Sequence, residues 1–245
     1  MRLICAKNYQ DMSRKAANLI SAQVILCPES VLGLATGSTP IGIYRQLISW
    51  YEKGDVDFSK AVSINLDEYC GLSPRDTQSY SCFMHQNFFD HINIDPRRVY
   101  LPDGMQTNST LECARYDRVI ADNGGIDLQL LGIGRNAHIG FNEPDSCFAC
   151  GTHQVTLTES TIAANTRFFE NEAQVPRQAY SMGMQAIMQA KRVLLIASGA
   201  DKAEAIRNSF FGPVTPQVPA SILQLHRDVI VIADEAALAD CPAEA

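Results

Sequence analysis

The sequence is bounded first by what it lacks. No apolar run approaches the roughly 20 residues that a membrane-crossing helix needs, and Met1-Arg2-Leu3-Ile4-Cys5 passes straight into polar residues rather than into a signal-peptide core. A soluble, unexported, cytoplasmic protein is expected. Positive charge is also scarce: 20 Lys and Arg face 27 Asp and Glu, for a net charge of −7. A basic cluster such as Pro96-Arg97-Arg98 is too short to track a polyanion. Nucleic acid and membrane are therefore not expected as partners, and a small molecule is. Among the eight cysteines, Cys147-Phe148-Ala149-Cys150 with His153 offers three metal ligands, but no second C-x-x-C supplies a fourth. No metal is expected, and the thiols read as reduced and incidental, several inside apolar segments where they act as small hydrophobes.

No internal repeat or low-complexity tract interrupts the 245 residues. With 46% hydrophobic and 19% charged content, the chain can bury a full core as a single domain over 1–245 without a linker. Short apolar or β-branched runs at Val31–Ala35, Ala61–Asn65, Ile126–Leu131, Val193–Ala197 and Val229–Ala233 alternate with helix-length stretches. The spacing predicts helices at about Asp11–Ala22, Pro40–Lys53, Ser79–His91, Asn108–Asp122, Ser181–Ala190 and Lys202–Asn208. Near-continuous apolar strands imply burial on both faces, hence an α/β fold with a mostly parallel sheet and helices on each side. Its ligands are expected outside the strand C-termini. The polar, aperiodic stretch from about 151 to 182 reads as a possible mobile lid.

Three strand ends carry the chemistry. Val31–Ala35 runs into Thr36-Gly37-Ser38-Thr39-Pro40, where Thr39 suits an N-cap and Pro40 the first helical position, so backbone N–H groups and a positive dipole end make an anion site. No Gly-Lys-Ser/Thr follows, which argues against a nucleotide triphosphate. Val193–Ala197 leads to Ser198-Gly199-Ala200-Asp201-Lys202, and a lysine opposing a helix dipole makes sense beside a bound anion. Ala61–Asn65 ends in Leu66-Asp67-Glu68-Tyr69, two carboxylates of which one can point into a pocket.

The densest run is Gly132-Ile133-Gly134-Arg135-Asn136-Ala137-His138-Ile139-Gly140-Phe141-Asn142-Glu143-Pro144, directly after a buried strand. Its start matches G-x-G-x-x-A, but Gly140 and Pro144 interrupt any helix that a dinucleotide site requires, and no suitably placed acidic residue follows. The other reading is a tight turn beside a ligand, with His138 and Glu143 as a proton-transfer pair whose carboxylate fixes the imidazole tautomer.

With these pieces placed, the chain closely resembles the glucosamine-6-phosphate deaminase/isomerase family over nearly its whole length. The landmarks are Gly33 through Pro40, Asn65 through Tyr69, Phe83-Met84-His85-Gln86-Asn87-Phe88-Phe89, Gly132 through Pro144, and Asn165-Thr166-Arg167-Phe168-Phe169. The resemblance implies a modified Rossmann-like sheet and reversible conversion of glucosamine 6-phosphate to fructose 6-phosphate and ammonia, without metal or organic cofactor. It implies ring opening by His138 supported by Glu143 and Asn136, C2 proton transfer by Asp67, and phosphate contacts at Thr36, Gly37, Ser38, Thr39, Arg167 and Lys202. Long members of the family carry aspartate where this chain has Asn136, so a shifted pH profile is expected. His153 and Val155 replace basic residues that serve activation in those members, and their C-terminal extension is missing, which suggests a monomer or small homo-oligomer without allostery. Sister 6-phosphogluconolactonases share the first turn but not Ile139 through Pro144. A non-catalytic sugar-phosphate sensor would leave Asp67, His138 and Glu143 without a use, and no helix-turn-helix precedes the domain.

Overall fold

The computed structural model describes residues 1–166 and 169–242. In chain order the elements are β1 (Arg2–Ala6), α1 (Tyr9–Leu26), β2 (Val31–Leu34), α2 (Ile41–Glu52), β3 (Val62–Asn65), β4 (Asp67–Tyr69), α3 (Tyr80–Asn87), β5 (Val99–Tyr100) and α4 (Ser109–Asp122). There follow β6 (Leu128–Leu131), β7 (His153–Thr156), α5 (Glu159–Asn165), β8 (Gln178–Ser181), α6 (Met184–Gln189), β9 (Arg192–Ala197), α7 (Ala203–Phe211) and β10 (Val229–Asp234).

Seven strands form one sheet in the order β1-β10-β9-β6-β2-β3-β5, every pair parallel. The apolar runs of the sequence become its centre, because β2, β3, β6 and β10 are buried at every position and β9 at all but its first. Such strands need cover on both faces. Helix α1 supplies part of it: Asn8 caps it by accepting from the Asp11 N–H at 3.0 Å, and Met12, Ala16, Ile20 and Val24 form a buried stripe at four-residue spacing. Burial of each large member is worth about 1.5–3 kcal/mol.

From β2 the chain winds outward through β3 to β5, then returns to β6 on the other side of β2 and proceeds through β9 to β10. The reversal lies between β2 and β6, so their diverging loops leave a crevice at their C-terminal ends.

A second sheet of three antiparallel strands, β4-β8-β7, stands beside the expected mostly parallel sheet and was not anticipated. After Asn65 the chain leaves the large sheet within one residue: the Leu66 N–H still reaches the Leu34 carbonyl at 3.2 Å, and Asp67 already pairs with Ser181. The stretch from 151 to 182 is thus ordered at both ends by β7 and β8, with α5 between them. Ser181 belongs to β8 rather than to a helix, and α6 starts only at Met184. Gly183 permits this, since a Cβ there would stand 2.1 Å from the Gly151 carbonyl oxygen. The first turn also differs from expectation by one residue: Gly37, at φ +95°, reverses the chain, and Pro40 rather than Thr39 becomes the N-cap of α2, without a side-chain cap.

Candidate active site

A cavity of about 900 Å³ opens where β2 and β6 diverge, reached also by the loop after β9, by Asp67 and Tyr69 of β4 and by α5. Thr36, Gly37, Ser38 and Thr39 line it together with Lys202. The β2 turn is held from outside the cavity. The Tyr9 hydroxyl donates to the Ser38 carbonyl at 3.2 Å and accepts from the Gly42 N–H at 2.8 Å. Lys202 ends a short 3-10 turn rather than standing inside α7. That turn is held by buried Asp234, which accepts from the Ser198 hydroxyl at 2.5 Å and from the Gly199 N–H at 3.0 Å. At the rim, Arg135 Nε stands 3.0 Å from Asp201 Oδ2.

Asp67 occupies the deep end. Its side chain faces the cavity while that of Glu68 turns away, as alternation along β4 requires. Glu68 instead accepts backbone N–H bonds from Tyr69, Tyr80 and Ser81, each at 2.9 Å, and so fastens the start of α3. An aromatic wall surrounds Asp67: Tyr80 stacks on Phe141 at 5.9 Å, and Tyr69 lies 4.7 Å from Tyr80 and 5.6 Å from Phe141. Burial, and secondarily the charge of Glu68, push the Asp67 carboxyl up to about 8. Burial likewise lifts Glu68 to about 7 against its three N–H donors.

The loop after β6 folds into a tight turn, with the Gly134 N–H on the His138 carbonyl at 2.9 Å and the Ala137 N–H on the Gly134 carbonyl at 3.0 Å. Ala137 takes φ 65°, the single positive φ among non-glycine described residues, a strain of about 1–2 kcal/mol concentrated beside His138. The imidazole packs directly over Gly134, where a Cβ would come within 2.4 Å of its Cε1. A Cβ at Gly140 would lie 3.7 Å from Asp67 Oδ2, so the same loop brings His138 and Asp67 to one cavity.

Glu143 does not line this cavity and stands behind Asn136 and His138, its side chain 7% exposed. Asn136 Nδ2 donates to Glu143 Oε2 at 2.6 Å, and His138 Nδ1 lies 3.5 Å from the same oxygen. That separation is long for a hydrogen bond. Burial pushes the Glu143 carboxyl up, but the neighbouring His138, Thr161 and Asn136 outweigh it and hold the group below its ordinary value.

Of the residues anticipated from sequence, Asp67, Asn136, His138, Thr36, Gly37, Ser38, Thr39 and Lys202 line this one cavity. Arg167 lies outside the described residues. Tyr9, Asp234 and Thr161 were not anticipated: each acts through a partner distant in sequence, and no local motif marks it. The G-x-G-x-x-A run opens no helix, since α5 begins only at Glu159. Cys147 and Cys150 are exposed thiols, His153 bonds the Gly151 carbonyl at 3.1 Å, and no group of three His, Cys, Asp or Glu among the described residues could hold a metal. No described helix is long and apolar enough to cross a membrane.

Residues 6–232 match the model of a family described as glucosamine-6-phosphate isomerases/6-phosphogluconolactonase. The chain belongs to this family. Within it, the chain is 61% identical over 232 residues to a glucosamine-6-phosphate deaminase of Lachnoclostridium phytofermentans, covering 95% of this chain and 98% of the relative. It is 55% identical over 237 residues to the protein of the same name from Clostridioides difficile, covering 97% and 95%. Among solved structures, a monomeric glucosamine-6-phosphate deaminase described as a missing link of the NagB superfamily superposes with a TM-score of 0.96 at 44% identity, over 98% of this chain and 100% of that one. A 6-phosphogluconolactonase from Leishmania guyanensis, at TM-score 0.74 and 19% identity over 99% of each chain, shares the family fold.

Proposed function

We propose that this protein is a glucosamine-6-phosphate deaminase, converting glucosamine 6-phosphate and water reversibly to fructose 6-phosphate and ammonia. The observation that carries the reading is a single cavity lined by the Thr36–Thr39 turn, Lys202, the buried carboxylate of Asp67 and His138, with Glu143 behind the histidine.

The phosphate is held by the Thr36–Thr39 turn, where the N-terminus of the 12-residue helix α2 favours negative charge. Lys202 adds a full positive charge, and Arg167 is assigned here from the family motif alone. Binding the phosphate at this end directs the sugar toward His138 and Asp67. His138 moves a proton from the anomeric hydroxyl to the ring oxygen, which opens the ring. Glu143, held ionised by its neighbours, orients the imidazole and stabilises its charged form.

Asp67 then takes the C2 proton and returns it to C1 through an enolamine. The resulting C2 iminium adds water, and ammonia leaves. A carboxyl poised near neutral pH suits a group that must both accept and return a proton. The aromatic wall that produces this state also keeps bulk water from the enolamine. A substrate ammonium at C2 favours ionisation of Asp67, so arrival of substrate prepares its own base.

Residues of α5 act as the cover of the cavity, a narrower segment than the whole of 151–182. The protein is read as a cytoplasmic monomer. Its eight free cysteines suit a reducing compartment, and the similar solved deaminase is monomeric. A lactonase would use the same cradle and histidine but has no use for a buried carboxylate beside C2.

The test is ammonia release from purified protein with glucosamine 6-phosphate, coupled to detection of fructose 6-phosphate. Equal amounts of both products are expected, unchanged by an N-acetylated amino-sugar phosphate. Acid release from a phosphorylated lactone without ammonia would overturn the assignment.

A further inference from the structure

Glu143 is gripped from two directions. Asn136 and His138 approach Oε2 from the same loop that carries Glu143. The other oxygen, Oε1, accepts from the Thr161 hydroxyl at 2.5 Å and faces the Thr158 hydroxyl at 3.4 Å. Those two residues come from α5, where Thr158 is the N-cap and accepts from the Thr161 N–H at 3.3 Å. The terminal torsion of a glutamate is soft and broad, so bonds to Oε2 alone leave the carboxylate plane free to swing. A short bond to Oε1 from a separate element fixes that plane. Thr161, Ala163 and Asn165 of α5 also line the cavity, so the element that covers the sugar is the one that completes the carboxylate.

Resting on the reading of His138 and Glu143 as the ring-opening pair, we propose that Thr161 is a positioning residue: its hydroxyl locks the Glu143 carboxylate toward His138, and the pair is aligned only while α5 is docked on the cavity. The chain thereby ties proton transfer to closure, because a displaced α5 leaves Glu143 free to turn from the imidazole. Thr161 touches no reacting atom in this account and acts through Glu143 alone.

The test compares Thr161→Val, which keeps the shape and removes the donor, with Thr161→Ser, which keeps the donor. Both are measured in the full chain as pH profiles of ammonia release with kcat and KM resolved. Thr161→Val is expected to lower kcat about tenfold with KM within about twofold of the native value. The Glu143 carboxyl, followed by carbon NMR titration, should move upward, because the ionised carboxylate has lost a donor. Thr161→Ser should restore both. A Glu143 carboxyl titration unmoved in Thr161→Val, a loss confined to KM, or a serine variant as impaired as the valine one would overturn the proposal. If Thr161→Val fails to fold, Thr161→Ala takes its place against serine with the same expected outcomes. If the native chain itself releases no ammonia, the reading of the site falls. The Thr161–Glu143 bond is then judged by carbon NMR titration of the Glu143 carboxyl, which must rise in the valine variant and not in the serine one.

Discussion

As the proposed base, Asp67 would serve catalysis at the expense of stability, and Asp67→Asn separates the two effects. Burial and the Glu68 charge move its carboxyl from an ordinary 3.8 to about 8. The unfolded chain therefore releases this proton near pH 4, whereas the folded chain keeps it until about pH 8. The favourable contribution of the neutral group is complete below the unfolded value and is lost as pH climbs to the folded one. At about 1.4 kcal/mol per pH unit, the loss between pH 5.5 and pH 8.5 has a ceiling near 3 kcal/mol. Buried sites respond as though the dielectric constant were nearer 20 than 4, which lowers the expectation to about 1–3 kcal/mol. Asparagine does not titrate, and its own desolvation is the same at both pH values, so it cancels in the comparison. Urea unfolding of both proteins should show the variant gaining 1–3 kcal/mol relative to native between pH 5.5 and 8.5. In thermal unfolding this amounts to about 2–10 °C. The same variant should lose about 10²–10⁴ in kcat and all exchange of the C2 proton, while phosphate-dependent binding survives. A stability difference that stays flat with pH, or a variant that still exchanges the proton, would refute the reasoning.

Asn136→Asp sets a second carboxylate against Glu143 and removes the donor at 2.6 Å, so the Glu143 carboxyl should titrate at higher pH in carbon NMR; an unchanged titration would separate Asn136 from the pair. Gly134→Ala drives a methyl into the His138 ring, 2.4 Å from Cε1, and should reduce kcat about a hundredfold with KM little altered, which steady-state kinetics resolves directly. Asp234→Asn weakens the anchor of the Lys202 turn, at a cost of about 1–3 kcal/mol in stability. It should also weaken inhibition by inorganic phosphate severalfold, and lower stability with undiminished phosphate inhibition would detach Asp234 from the cradle.

The large sheet was legible in the sequence because burial on both faces turns a strand into an uninterrupted apolar run, as in Leu194-Leu195-Ile196-Ala197. The small sheet was not. In β7 alternate positions are exposed, leaving only the polar run His153-Gln154-Val155-Thr156. Strand β4 is three residues long, and two of them carry the chemistry that drew notice for another reason. The cavity residues were legible where they lie just beyond the end of a strand of the large sheet, as Thr36 and Asp67 do, or in the glycine-rich run after one, as His138 does. Tyr9, Thr161 and Asp234 brace Ser38, Glu143 and Ser198 across separations of 29, 18 and 36 positions. Contacts of that range are made by topology and leave no local pattern.

The adjacency of β1 and β10 has a consequence for biosynthesis. Arg2 is paired with Ile230, a separation of 228 residues, and β1 has no other partner in the sheet. At about 5–20 residues per second, a ribosome needs roughly ten to forty-five seconds to deliver the strand on which β1 will settle. Throughout that interval Leu3-Ile4-Cys5-Ala6 is an unpaired apolar edge, whereas β2, β3 and β5 can already pair with one another. A strand made early is thus secured late, and a chain stalled before Val229 exposes an edge that invites association with other chains.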